Sequence, residues 1–95
     1  MTDPETRRRL RSEGQRLTPA VEIGRRGLEA SVINELRDQL KRSELVKVRI
    51  QRSASAEGRE GEEWLAESLA TSVGAELIER RGHTVLLYRP RRGGA

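Results

Sequence analysis

An α/β fold is predicted for this chain: one compact domain in the order α-β-α-β-α-β-β, with a mixed four-stranded sheet and helices packed on it. Three observations predict it. Leu28, Val32, Ile33, Leu36 and Leu40 recur at helical spacing. Leu45-Val46-Lys47-Val48-Arg49-Ile50 carries the alternation of a strand. Near the end, two strand-like runs, Ala75 to Arg80 and His83 to Arg89, flank Arg81-Gly82 and read as a hairpin. The strand–helix–strand crossover calls for a parallel pair and the hairpin for an antiparallel one, so the sheet is mixed.

Each element has its own local warrant. Residues 1–4 read as a disordered start, with Asp3-Pro4 as a possible cap, and the domain proper as residues 5–90. The next dozen residues suit a short arginine-rich helix whose apolar anchors are Leu10 and Leu17, weakened at its end by Gly14. Pro19 to Ile23 reads as a strand with Val21 and Ile23 on one face. The long helix starts at Leu28 and keeps Glu29, Asn34, Glu35, Arg37, Asp38 and Lys41 outside. In the strand after it, Val46, Val48 and Ile50 are expected inside, with Lys47 and Arg49 making the opposite face basic.

Ser53 to Gly61 holds glycines and serines but no large apolar residue and reads as the longest loop. Glu62 and Glu63 then open a third helix with acids where the helix dipole favours them. Its inner face is Leu65, Ala66, Leu69, Ala70 and Val73, and Gly74 fits the position just past its end. Trp64, beside that inner face, is expected as a core anchor, since Trp is usually deeply buried. Pro90 stops the sheet, and residues 91–95 form a basic flexible tail.

Composition narrows the possible functions. A 95-residue chain fits one small domain that buries about 60–70% of the surface its unfolded form exposes. With 34% apolar and 36% charged residues, one thin core is expected and no second. The net charge of +4 understates the basic character, because Glu57, Glu60, Glu62, Glu63, Glu67, Glu76 and Glu79 cluster in one segment. Arginines and lysines dominate elsewhere, which points to a polyanionic partner, nucleic acid before membrane.

Without cysteine, disulfides, thiolate metal sites and thiol catalysis are excluded. No apolar run approaches a signal sequence or a membrane span, so a cytoplasmic location is expected. His83 is the only histidine and has no nucleophile pattern around it, so it reads as a structural hairpin residue. Glu57 to Glu63 lacks the Asp/Asn-rich spacing of a calcium loop. Hence no enzyme activity, no metal and no cofactor is expected, and the chain is expected to be a monomer.

Gly24-Arg25-Arg26-Gly27 is the motif that carries chemistry. A strand-like run leads into it and a helix-like run leaves it, and glycine lets a backbone approach a ligand closely. First-turn N–H groups and the helix dipole favour an anion there, and each arginine adds a charged fork. The spacing alone says little, because Gly58-Arg59-Glu60-Gly61 repeats it in what reads as an acidic loop. Context separates the two. One Trp, one Tyr and no Phe leave no base-stacking platform, so backbone and shape recognition are expected.

From Leu10 to Pro90 the chain resembles the CRM domain (chloroplast RNA splicing and ribosome maturation), in its stand-alone, YhbY-like prokaryotic form. The matching pieces are Leu17-Thr18-Pro19-Ala20-Val21-Glu22-Ile23-Gly24-Arg25-Arg26-Gly27-Leu28, Glu44-Leu45-Val46-Lys47-Val48-Arg49, Gly74-Ala75, and Val85-Leu86-Leu87-Tyr88-Arg89-Pro90. The resemblance implies a fold similar to the C-terminal domain of translation initiation factor three, and an RNA-facing loop made by Gly24, Arg25, Arg26 and Gly27. Lys47 and Arg89 match basic positions of the family's motifs. Lys41 and Arg49 are added on charge and expected exposure alone. Ser43, and Gly14-Gln15, stand where relatives often carry histidine and Ala-His.

The resulting expectation is a non-catalytic RNA-binding protein that binds precursor rRNA during large-subunit assembly, with ribosomal proteins as further partners. The alternative is a protein-interaction factor on the ribosome, in which the acidic 57–67 segment makes the contact.

Overall fold

The computed structural model describes residues 2–54 and 58–91. Helix α1 (Pro4–Gly14) is followed by β1 (Val21–Ile23), α2 (Ala30–Arg42), β2 (Leu45–Ile50), a 3-10 turn at Arg52–Ala54, α3 (Gly58–Val73), β3 (Glu76–Arg81) and β4 (Thr84–Tyr88). The strands form one sheet in the order β1-β2-β4-β3. β1 runs parallel to β2, pairing Val21 with Val48 and Ile23 with Ile50, while β4 is antiparallel to both of its neighbours. The expected α/β class and mixed sheet are therefore present.

Alternation along the strands sends side chains to two faces, and both are used. Val21, Ile23, Val46, Val48, Ile50, Val85 and Leu87 meet Leu36 and Leu40 of α2 and Leu65 and Leu69 of α3. Fully burying each such side chain contributes about 1.5–3 kcal/mol. On the other face, Leu45, Ile78 and Leu86 take Leu10 of α1, with Leu17 and Tyr88 packed beside them. The expectation of a single core is thus corrected. A sheet buried on both faces needs only a few residues for its second layer, which composition does not reveal.

α1 begins within the expected disordered start: Asp3 caps it by accepting from the Thr6 amide at 2.9 Å, and Pro4 occupies its first turn. It continues through Gly14, which is buried against Leu86 of the sheet. A Cβ there would lie 2.5 Å from Leu86 Cδ2. The glycine is better understood as a packing requirement than as a weak helix end. β3, an edge strand, carries a bulge: pairing passes from Leu77↔Leu87 to Glu79↔Leu86, and the extra residue, Ile78, is buried. Arg7 of α1 donates to the carbonyls of Leu77 and Ile78 at 3.2 and 3.1 Å and pairs with Glu76 at 3.1 Å. One guanidinium thus ties α1 to the irregular part of the sheet.

Two helix starts differ from expectation. α2 begins at Ala30, not Leu28, because Leu28 turns inward against the core and Glu29 is extended at φ −78°, ψ 156°. α3 begins at Gly58, so Gly58-Arg59-Glu60-Gly61 is its first turn and not part of a loop. Packing outweighs the weak helix propensity of glycine there, Gly61 being buried. The rest of the expected loop includes the 3-10 turn, and residues 55–57 lie outside the described residues. At the end of α3, the amides of Gly74 and Ala75 donate to Thr71 and Ala70 with Gly74 at φ 66°, the glycine-terminated cap expected. Of the expected tail at 91–95, only Arg91 is described.

Trp64 corrects the sequence reading most clearly, being 64% exposed and the exposed large apolar side chain among the described residues. The buried stripe of α3 includes Glu62, which pairs with Arg80 at 3.2 Å and His83 at 2.8 Å. This polar anchor, with Leu65, Ala66, Leu69 and Ala70, sets the helix phase and turns Trp64 outward.

Candidate nucleic-acid interface

β1 is short and ends at Ile23, opposite Ile50, where the Gln51 amide donates to the Ile23 carbonyl at 2.9 Å. The chain must then reverse toward α2, and it does so in four residues. The Gly27 amide donates to the Gly24 carbonyl at 2.9 Å, closing a β-turn with Arg25 and Arg26 at its corners. Gly27 has φ 65°, the left-handed region that favours glycine. Gly24 has no such demand, and a Cβ there would make ordinary contact with Gln51 at 3.5 Å.

Both arginines are exposed. Among the described residues Arg26 has one weak partner, Glu29 at 3.7 Å, and its side chain remains 84% exposed. An exposed pair of this kind is worth at most about 1 kcal/mol, so a phosphate can replace the glutamate. One feature of the expected cradle is absent. Leu28 and Glu29 separate the turn from α2, and Glu29 precedes the first helical residue without a side-chain cap bond. The turn therefore presents guanidinium groups, and the start of α2 stands two residues away from it.

Strand register gathers more cations at this end. Glu22, Arg49, Thr84 and Arg81 form one row across the four strands, by the pairings Glu22↔Arg49, Arg49↔Thr84 and Arg81↔Thr84. Residues directly opposite share a face. Arg52 follows in the 3-10 turn, and the Ile50 amide donates to the His83 carbonyl at 2.7 Å, bringing the β3–β4 turn to the same end. Arg25, Arg26, Arg49, Arg52 and Arg81 are all exposed there. Arg52 and Arg81 were not among the residues singled out from sequence. Their basic character was visible, but their neighbourhood depends on strand register.

Lys47 lies on the same sheet face but is half-buried, and its Nζ donates to the Leu17 carbonyl at 3.3 Å. It lines a shallow hollow of about 270 Å³ with Gln15, Glu79, Arg81, Thr84 and Leu86, next to the end of α1. The expected basic face is therefore mixed, carrying Glu22, Glu76 and Glu79 as well as cations, and partly covered by α1.

Lys41 and Arg89 do not join the loop. α2 has 13 residues and so carries the chain about 20 Å along its axis, and Lys41 lies in its last turn. The Arg89 amide donates to Glu44 at 2.9 Å, beside the beginning of β2. Arg91 completes this second patch by donating to the carbonyls of Lys41 and Arg42 at 3.1 and 2.9 Å, where α2 leaves them without helical partners. Lys41 is exposed and 3.8 Å from Asp38. The eight residues singled out from sequence thus divide between two ends of the domain, with Lys47 between them.

His83 is held by a structural contact: its Nδ1 lies 2.8 Å from Glu62 Oε1, and Arg80 bridges Glu62 and Glu63. Among the described residues no group of His, Asp and Glu is arranged to hold a metal ion. Among the same residues no helix is long and apolar enough to cross a membrane.

Fold and site together define a class: a small α/β domain with helices on both faces of its sheet and an arginine-bearing turn at one end. The CRS1 / YhbY (CRM) domain model matches residues 3–89, and the chain belongs to this family. It is 38% identical over 87 residues to a protein of Methanocaldococcus jannaschii named a probable RNA-binding protein, covering 92% of this chain and 63% of that one. It is 27% identical over 89 residues to the probable RNA-binding protein YqeI of Bacillus subtilis, covering 94% of this chain and 88% of the relative. In structure it is similar to a hypothetical protein of Staphylococcus aureus solved in solution and described as a candidate RNA-binding protein. The TM-score is 0.82 at 26% identity, over 100% of this chain and 95% of the other.

Proposed function

We propose that this protein is a non-catalytic RNA-binding protein that grips the backbone of structured ribosomal RNA, acting as a monomer in the cytoplasm on precursors of the large subunit. One observation carries the reading. The Gly24–Gly27 turn holds two exposed arginines at the end of the sheet where Arg49, Arg52 and Arg81 also emerge. Guanidinium groups pair with phosphates through two parallel N–H bonds, and such contacts position a protein on RNA without reading its bases. The names of the relatives support RNA as the partner. The rRNA of the large subunit is the choice that the family resemblance favours.

The test is binding of a purified large-subunit rRNA fragment across a salt series. The double variant R25D/R26D is expected to bind far more weakly, and the slope of log K against log salt to fall by about 2, one for each phosphate left without its arginine. Circular dichroism should be unchanged, since both side chains are exposed. Parental affinity and slope in the variant would remove the loop from the interface. Equal affinity for unrelated duplex RNA would remove rRNA as the specific target.

A further inference from the structure

Trp64 is the chain's one tryptophan, and it stands 64% exposed on the outer face of α3. Nothing in the RNA reading uses it. An exposed indole covers no core, so it contributes little to folding and is available for contact. Its surroundings select the partner. Glu60 lies one turn before it and Glu67 one turn after, on the same stripe of the helix. Both are exposed, and neither makes an ion pair among the described residues. Glu67, Ser68, Thr71 and Ser72 border, with the indole, an open hollow of about 420 Å³.

We infer that this face binds an arginine-rich segment of a protein partner. Arginine suits each part of it: the guanidinium plane stacks on the indole, while its N–H groups reach the Glu67 and Glu60 carboxylates. RNA suits it poorly, because the same carboxylates repel phosphate next to the indole on which a base would stack. The protein then has two separate binding faces. The arginine turn takes RNA, and α3 takes a basic chain of the kind that itself accompanies RNA. The inference does not depend on the RNA reading, since the two surfaces share no residue.

The single indole makes the test direct. The 95-residue chain, free of RNA, is titrated with a nona-arginine peptide while tryptophan emission is followed. A saturable change is expected, with nona-lysine binding more weakly. In the variant E60Q/E67Q the peptide affinity should fall about five- to tenfold. A labelled peptide followed by anisotropy should show a similar fall in Trp64→Leu, and rRNA affinity should be unchanged in both variants. Unchanged emission with the peptide would overturn the inference. So would an emission change on adding rRNA alone, which would make the face an RNA surface. An emission that varied with protein concentration alone would overturn it too, by assigning the face to a second copy of the chain.

Discussion

The amide of Gly27 donates to the carbonyl of Gly24 at 2.9 Å, and this one bond holds Arg25 and Arg26 at the outer corner of the turn between β1 and α2. The two glycines have different tasks. Gly27 is required by its backbone angle, φ 65°, whereas the space around both positions would admit a methyl group. Gly27→Ala should therefore destabilise the domain by about 1–2 kcal/mol, and Gly24→Ala by less than about 1 kcal/mol. Urea titrations of the two variants check this. If Gly24→Ala weakens RNA binding while stability is unchanged, close approach of the backbone to RNA is its contribution.

The division of the cations between two ends of the domain predicts unequal roles. Neutralising Arg49, Arg52 and Arg81 one at a time should each lower the salt slope of RNA binding by about 1. The double variant K41A/R89A should change affinity by less than about twofold, as for cations outside a phosphate interface. An effect equal to that of the loop variants would mean that the RNA extends along α2 to the far patch.

Gly14 brings α1 against the sheet, where a Cβ would lie 2.5 Å from Leu86 Cδ2. Leu86 is 3% exposed and packed under Leu10. Gly14→Val should force this layer apart and cost about 1–3 kcal/mol by overpacking. A thermal melt monitored at 222 nm reads the effect, and a shift to higher temperature would show that Leu86 can turn aside freely.

Acid should loosen the same layer. Hydrogen bonding from Thr2 holds the Glu76 carboxyl below its ordinary range, with the nearby Arg7 charge adding to it. Hydrogen bonds from Thr6 do the same for Asp3, the cap of α1. A carboxyl whose pKa is lower in the folded state stabilises the fold above its unfolded value. That contribution disappears as pH falls from about 4 through the lower folded value. Stability measured by urea should therefore drop across that interval, and Glu76→Gln should be less stable at neutral pH and show a shallower drop. A drop of the same size in Glu76→Gln would assign the acid sensitivity to other carboxyls.

Much of the fold could be read directly from sequence because its signals are local. The spacing of Val32, Ile33, Leu36 and Leu40 announces a helix wherever it sits, and the alternation from Leu45 to Ile50 announces a strand. Gly27 and Gly74 mark turns by an angle that few other residues adopt. Other features depended on distant partners. Gly14 resembled a weak helix end until Leu86 was opposite it, whereas the exposure of Trp64 follows from the local period, since it lies opposite the stripe of Leu65, Ala66, Leu69, Ala70 and Val73.

The sequence by itself determined the order of the elements, the mixed sheet and the Gly-Arg-Arg-Gly turn, because backbone preference and side-chain period act within a few residues. Tertiary structure alone decided which cations form one surface. Register across the sheet placed Arg49 and Arg81 in one row, with Arg52 in the 3-10 turn that follows β2 at the same end, while the length of α2 carried Lys41 to the opposite end, next to Arg89. A charge shows its type in the sequence, but its neighbours are set by how strands pair and how far a helix carries the chain.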